Sequence, residues 1–104
     1  MSNIHQEIET EIKNNPVVIY MKGTPEAPMC GFSARSVQIL KSYNVPVKGH
    51  NVLDSEELRQ GIKEFTNWPT IPQIFIKGQF VGGCDIITEM HENGELKQLL
   101  AGEL

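Results

Sequence analysis

Cys30-Gly31-Phe32-Ser33 sets a thiol, and three positions on a hydroxyl, between a strand-like run and a helix-like one. A cysteine that opens a helix faces the first amides, which have no partner within the helix and carry partial positive charge, so its thiolate is favoured. Thiolates so placed have pKa values of roughly 3.5 to 7.5, against about 8.5 for a free thiol. That sulfur is both a nucleophile and a soft-metal ligand. Ser33 stands where a Cys-x-x-Cys pair has its second sulfur, so the segment cannot close a local disulfide. The glycine and prolines before Cys30, with Gly31 after it, favour an exposed thiol over an inert buried one.

The elements that position Cys30 follow from periodicity and punctuation. Ile4, Ile8 and Ile12 recur at helical spacing behind the capping-type Ser2 and Asn3, and Asn14-Asn15-Pro16 stops them. Val17 to Lys22 suits a buried strand, and Gly23 to Pro28 has the chemistry of a loop. Ala34, Val37, Leu40 and Tyr43 fall near one face of a helix that ends before Pro46. A short strand is predicted over Val47 to Val52. A helix follows, with Asp54 as acidic cap and Glu57 as capping-box partner ahead of Leu58, Ile62 and Phe65. Pro72 to Ile76 and Phe80 to Gly82 form a hairpin about Lys77-Gly78-Gln79. Asp85 then caps a helix to Asn93-Gly94, and Leu96, Leu99 and Leu100 close the chain in a last helical turn or two.

A βαβ unit followed by a hairpin and a closing helix predicts an α/β fold with a four-stranded mixed sheet and helices on both faces, a thioredoxin-like plan. With 104 residues and 39% hydrophobic content, the chain has enough for one core, so residues 1–104 are expected to form a single domain. A net charge of −4 without a basic stripe argues against nucleic acid as a partner. No apolar run is long enough to span a bilayer. Two cysteines without zinc-type neighbours fit a reducing compartment, and the N-terminus carries no targeting pattern. A cytoplasmic location is expected, or an organelle matrix if a targeting segment has been removed. His5, His50 and His91 lack metal-ligand spacing and are expected on the surface.

Cys30-Gly31-Phe32-Ser33, together with Lys22, Trp68-Pro69-Thr70-Ile71-Pro72-Gln73 and Gly82-Gly83-Cys84-Asp85, closely resembles the single-domain monothiol glutaredoxins of the Cys-Gly-Phe-Ser type. The resemblance covers essentially the whole chain. It implies a thioredoxin-like (glutaredoxin) fold, a glutathione-binding groove, and a [2Fe-2S] cluster shared by two chains. In that family the motif cysteines of two subunits and the thiols of two glutathiones supply the four sulfurs, which makes Cys30 both the catalytic thiol and the metal ligand.

Carried over position by position, the resemblance implies that Lys22 and Arg59 hold the glycine carboxylate end of glutathione. It implies a cis peptide before Pro72, so that the main chain of Ile71 can pair with the cysteinyl unit; from the sequence alone, Pro72 can equally begin an edge strand. Gly82-Gly83 admits a close backbone approach, and the free amides at Cys84-Asp85 would receive the γ-glutamyl carboxylate. Asp85 is expected to accept from the ligand ammonium as well as cap its helix. Cys84 has two readings: a packed thiol that offers only its backbone, or a partner for Cys30 in a disulfide. Trp68 belongs either to the core or to the wall of the groove.

Lys22 lies eight positions before Cys30, and the loop between them is typical of the Cys-Gly-Phe-Ser class. By resemblance it displaces glutathione from the geometry suited to disulfide exchange. The expected function is therefore delivery of a [2Fe-2S] cluster to apo iron-sulfur proteins, as a homodimer when loaded, with a BolA-like protein as a further partner. The alternative is a glutathione-dependent thiol-disulfide oxidoreductase in which Cys30 attacks a glutathionylated protein. A pure adaptor would have no reason to keep every residue type of the glutathione site.

Overall fold

The structure, a computed structural model, describes residues 3–101. Its centre is a strand with no polar face. β1 (Val17–Met21) is buried at every position, and its alternating side chains enter two different cores. Val17, Ile19 and Met21 point to one face of the sheet, and Val18 and Tyr20 to the other. Burial of each such side chain contributes about 1.5–3 kcal/mol.

The flanking helices take the two faces in pairs. α1 (Ile4–Asn14) and α3 (Glu56–Thr66) cover Val18, Tyr20 and Phe75 with Ile8, Ile12 and Ile62. Gly61 permits the close approach of α3 to α1, since a Cβ there would lie 2.8 Å from Ile4 Cγ2. On the other face α2 (Gly31–Lys41), α4 (Cys84–Asn93) and α5 (Glu95–Ala101) bring Val37, Leu40, Ile87, Leu96 and Leu100 onto Val17, Ile19, Ile74 and Ile76.

The main sheet has the order β4-β1-β5-β6: β4 (Lys48–Asn51) runs parallel to β1, β5 (Gln73–Ile76) antiparallel to β1, and β6 (Gln79–Gly82) antiparallel to β5. The α/β plan of a four-stranded mixed sheet between helices is therefore as the sequence predicts. The β5–β6 turn is Lys77-Gly78, with φ of 55° and 79°, the pair of positive angles that matches the twist of a tight hairpin.

Several local expectations give way. The stretch after Lys22 is more than a loop: β2 (Gly23–Thr24) and β3 (Ala27–Pro28) pair antiparallel as a small hairpin. Ser55, not Asp54, caps α3, accepting from the Leu58 N–H at 3.1 Å, while Asp54 ends a short 3-10 turn over Val52–Asp54. A serine hydroxyl at that position reaches the N3 amide, whereas Asp54 lies one residue too early. Gly83, not Asp85, is the N-cap of α4, and Asp85 falls in the first turn. The Ser2 part of the α1 cap lies outside the described residues, and the side chain of Asn3 bonds Gln6 instead of capping the backbone. His50 is half-buried rather than on the surface, bonded to Glu11.

Candidate functional site

Cys30 is the N-cap of α2, in an extended conformation with φ −152° and ψ 137° that turns the chain from the β2–β3 hairpin into the helix. Two contacts set where that hairpin lies. The Gly23 N–H donates to Asn51 Oδ1 at 2.9 Å, and the Met29 N–H donates to the Lys22 carbonyl at 2.9 Å. Gly23 has φ of +90°, and a Cβ there would meet Ala27 O at 2.5 Å, so the turn out of β1 requires glycine.

The Cys30 sulfur is half-exposed, and its pKa is held below the ordinary thiol value. The backbone N–H of Ser33 is the largest cause, with the Phe32 N–H, the Lys22 charge and the Ser33 hydroxyl adding to it against the opposing effect of partial burial. Ser33 itself is fully buried, and its Oγ accepts the Lys22 N–H at 3.2 Å. The hydroxyl in the second-sulfur position thus ties the end of β1 to the first turn of α2.

A groove of about 670 Å³ opens beside Cys30, within the range typical of small-molecule sites. It brings together every site residue predicted from the sequence: Cys30, Lys22, Arg59, Ile71, Cys84 and Asp85. The Ile71–Pro72 peptide is cis. β5 begins at Gln73 and lies between β1 and β6, so Pro72 does not start an edge strand, and Ile71 sits outside the sheet. Beneath this turn the fully buried Gln73 donates from Nε2 to the carbonyls of Trp68 (2.9 Å) and Thr70 (3.2 Å) and accepts from Thr66 Oγ1 (2.8 Å).

Trp68 is part of the groove wall, 38% exposed with its ring edge-on to Phe80. Across the groove Gly83 comes close to the turn, since a Cβ there would lie 3.0 Å from Pro72 O. This places the first amides of α4 at the groove, where the dipole favours an anion. Both cysteines are free thiols; Cys84 is buried, with its sulfur 3.9 Å from Thr88 Oγ1.

Sequence reasoning missed Lys63 and Ile86, which also line the groove. Lys63 follows Arg59 by one helical turn, so the i, i+4 spacing on α3 was the signal that could have found it. Arg59 meets Glu56 at 3.7 Å through Nη1, while its Nε is buried without a protein partner. Lys22, Arg59 and Lys63 make one side of the groove cationic. Met29 (70% exposed) and Phe32 (62% exposed) stand beside the sulfur.

A four-stranded mixed sheet between helices, with Cys30 opening a helix beside the groove, is the thioredoxin-like plan, and comparison with known proteins narrows the class. The glutaredoxin family model matches residues 17–81. The chain is 56% identical over 93 residues to "Monothiol glutaredoxin-S15, mitochondrial" of Arabidopsis thaliana, which covers 89% of this chain and 55% of that protein. It is 56% identical over 95 residues to "Probable monothiol glutaredoxin 2" of Rickettsia felis, covering 91% of each. The chain spans about half the length of the plant relatives, 55% and 50% for those of Arabidopsis and rice. Among solved structures, reduced poplar apo GrxS14 superposes with a TM-score of 0.84 at 46% identity over 93% of this chain and 89% of that one. The holo form of poplar glutaredoxin C1 gives 0.86 at 25% identity over 99% and 100%. The chain belongs to the glutaredoxin family, among its monothiol members of the Cys-Gly-Phe-Ser type. Among the described residues, no helix is long and apolar enough to cross a membrane.

Proposed function

We propose that this chain binds glutathione in the Cys30 groove and, paired with a second copy, carries a [2Fe-2S] cluster to apo iron-sulfur proteins. The observation that carries the reading is the groove itself: an accessible, thiolate-favouring Cys30 at one end and a buried Arg59 Nε without a protein partner in the wall. A buried guanidinium nitrogen left unpaired is costly, and a ligand carboxylate satisfies it. Glutathione fits the residue set: Lys22, Arg59 and Lys63 suit a carboxylate, the first amides of α4 suit the other, and Asp85 suits the ammonium. Bound there, glutathione supplies a second thiol beside Cys30.

A [2Fe-2S] cluster takes four sulfur or nitrogen ligands. Each chain offers Cys30, because Cys84 is buried against Thr88, so cargo held this way calls for two chains and two glutathiones. Met29 and Phe32 give the apolar surface for that pairing beside the sulfur, and the likeness to a glutaredoxin solved in a holo form supports the reading. A BolA-like protein is the alternative partner for the same face. Cytoplasm or an organelle matrix, both reducing, suits two free thiols.

A second reading rests on the depressed pKa of Cys30. Its thiolate attacks the glutathione-side sulfur of a glutathionylated protein, the protein thiolate leaves, and a second glutathione thiolate regenerates Cys30 while releasing glutathione disulfide. Anaerobic reconstitution with iron, sulfide and glutathione separates the two. The carrier reading expects a brown dimer with one glutathione per subunit, lost in Cys30→Ser. A colourless monomer with brisk deglutathionylation sinks it in favour of the exchange enzyme.

A further inference from the structure

On the α1/α3 side of the sheet lies a second cavity, of about 240 Å³, that shares no lining residue with the Cys30 groove. Its polar groups are unusual for a surface dimple. Glu7, Glu11 and Glu57 face it, and His50 is the one lining group able to carry positive charge. Tyr20 forms its floor, 1% exposed, and the hydroxyl is buried without a hydrogen-bond partner. Burial first, and the charge of Glu11 second, push the Tyr20 pKa well above the ordinary phenol value, so the hydroxyl is held near a carboxylate that it does not bond.

His50 lies over this floor. It is the register partner of Tyr20 in the β1–β4 pair, its ring stacks on the Tyr20 ring at 5.0 Å and 15°, and its Nε2 meets Glu11 Oε1 at 2.8 Å. That bond leaves Oε2 of Glu11 for a ligand. Ile4, Ile8 and Leu58 supply an apolar wall beside the carboxylates. A cavity of this size lined by apolar side chains and three carboxylates suits an alkyl chain ending in a cation, and repels carboxylates and phosphates. Among the described residues no three His, Cys, Asp or Glu side chains are arranged to hold a metal ion, so an organic cation fits the chemistry better than a bare one.

We propose that this cavity receives the side chain of a lysine from a partner polypeptide, its ammonium bonded by Glu11 and Tyr20 Oη with Glu57 or Glu7 completing the set. A primary ammonium has three donors and can satisfy both a carboxylate and a neutral hydroxyl oxygen. Lysine of a polypeptide is favoured over a free amine by the adjoining cleft of about 450 Å³, in which Asn3, Gln6 and Thr10 present amides and a hydroxyl beside Glu7 and Glu11. Those groups match the main-chain donors and acceptors on either side of an inserted side chain.

The test is a titration of the full chain followed by amide NMR shifts, with four probes: Nα-acetyl-lysine-N-methylamide, cadaverine, choline and sodium chloride, at matched ionic strength. Saturable shifts at Glu11, Tyr20, His50 and Leu58 are expected with the lysine amide, more tightly than with cadaverine, while the fluorescence of Trp68 in the other groove stays unchanged. Glu11→Gln should weaken binding about tenfold and Tyr20→Phe about threefold. Should Glu11→Gln fail to fold, the double variant Glu7→Gln/Glu57→Gln, at two exposed lining positions, serves the same purpose. Shifts that do not saturate, that salt or choline reproduce, or that survive Glu11→Gln or the Glu7→Gln/Glu57→Gln substitute overturn the site. Tighter binding of cadaverine overturns the polypeptide assignment.

Discussion

The hydroxyl of Ser33 accepts the backbone N–H of Lys22 at 3.2 Å, and this bond joins the end of the central strand to the first turn of the helix that carries the reactive thiol. Serine in place of a second cysteine is therefore a structural tie as well as a missing sulfur. Ser33→Ala leaves a part-buried amide without its acceptor, which costs about 1–2 kcal/mol. Urea unfolding measures that loss. The same change removes one of the groups favouring the Cys30 thiolate, so the midpoint of alkylation against pH should move up. A variant as stable as the parent, with an unmoved midpoint, would show the bond to be idle.

Cys30 has its pKa lowered in the folded chain, chiefly by the Ser33 N–H. Alkylation by iodoacetamide should therefore reach half-maximal rate below the pH of an unfolded thiol, and Lys22→Met should raise that pH by removing a nearby positive charge. Between the folded and unfolded pKa values the unfolded chain binds more protons, so stability rises with pH through that window. The contribution is fully present above the unfolded pKa and is lost as pH falls through the folded one. Cys30→Ser should flatten that segment of the stability profile, which denaturation at a series of pH values can read.

Much of this architecture was legible because its signals are local. Val17 to Met21 is apolar at every position, which only a strand covered on both faces explains. Ile4, Ile8 and Ile12, or Leu58, Ile62 and Phe65, mark one helical stripe each. The groove residues were legible through motifs and resemblance. What failed depended on contacts distant in sequence. The β2–β3 hairpin is held by Asn51 and by Gly49, where a Cβ would lie 2.4 Å from Pro25 Cγ, and no residue of the loop announces either partner. His50 looked like any surface histidine because neither Glu11 nor the Tyr20 ring is its sequence neighbour. Asp85 looked like a cap because its side chain is of capping type; the backbone enters the helix two residues earlier, at Gly83.

Gln73 holds the turn that carries Trp68 and Ile71, through three bonds to Trp68 O, Thr70 O and Thr66 Oγ1. Gln73→Leu keeps the bulk and deletes all three, leaving two part-buried carbonyls and the Thr66 hydroxyl without this partner. A loss of about 2–4 kcal/mol is expected. Trp68 is the one tryptophan in the chain, so its emission should shift to the red as the groove wall loosens. A destabilised variant with unchanged emission would mean that the turn is held by other contacts.

Arg59 separates ligand binding from folding. Its pairing with Glu56 is partly exposed and long, at 3.7 Å, so it adds little to stability. Its Nε is buried without a protein partner, which on the proposed function leaves it for a ligand carboxylate. Arg59→Met should then leave the thermal midpoint near that of the parent, or raise it, because the desolvated nitrogen is gone. Glutathione affinity, measured by calorimetry on the apo chain, should fall about tenfold, the worth of one charge-assisted bond. Arg59→Lys restores the charge without the planar fork and should recover only part of the loss. If Arg59→Met bound glutathione as tightly as the parent, the groove would hold its carboxylates through Lys22, Lys63 and helix amides alone, and Arg59 would have no part in it.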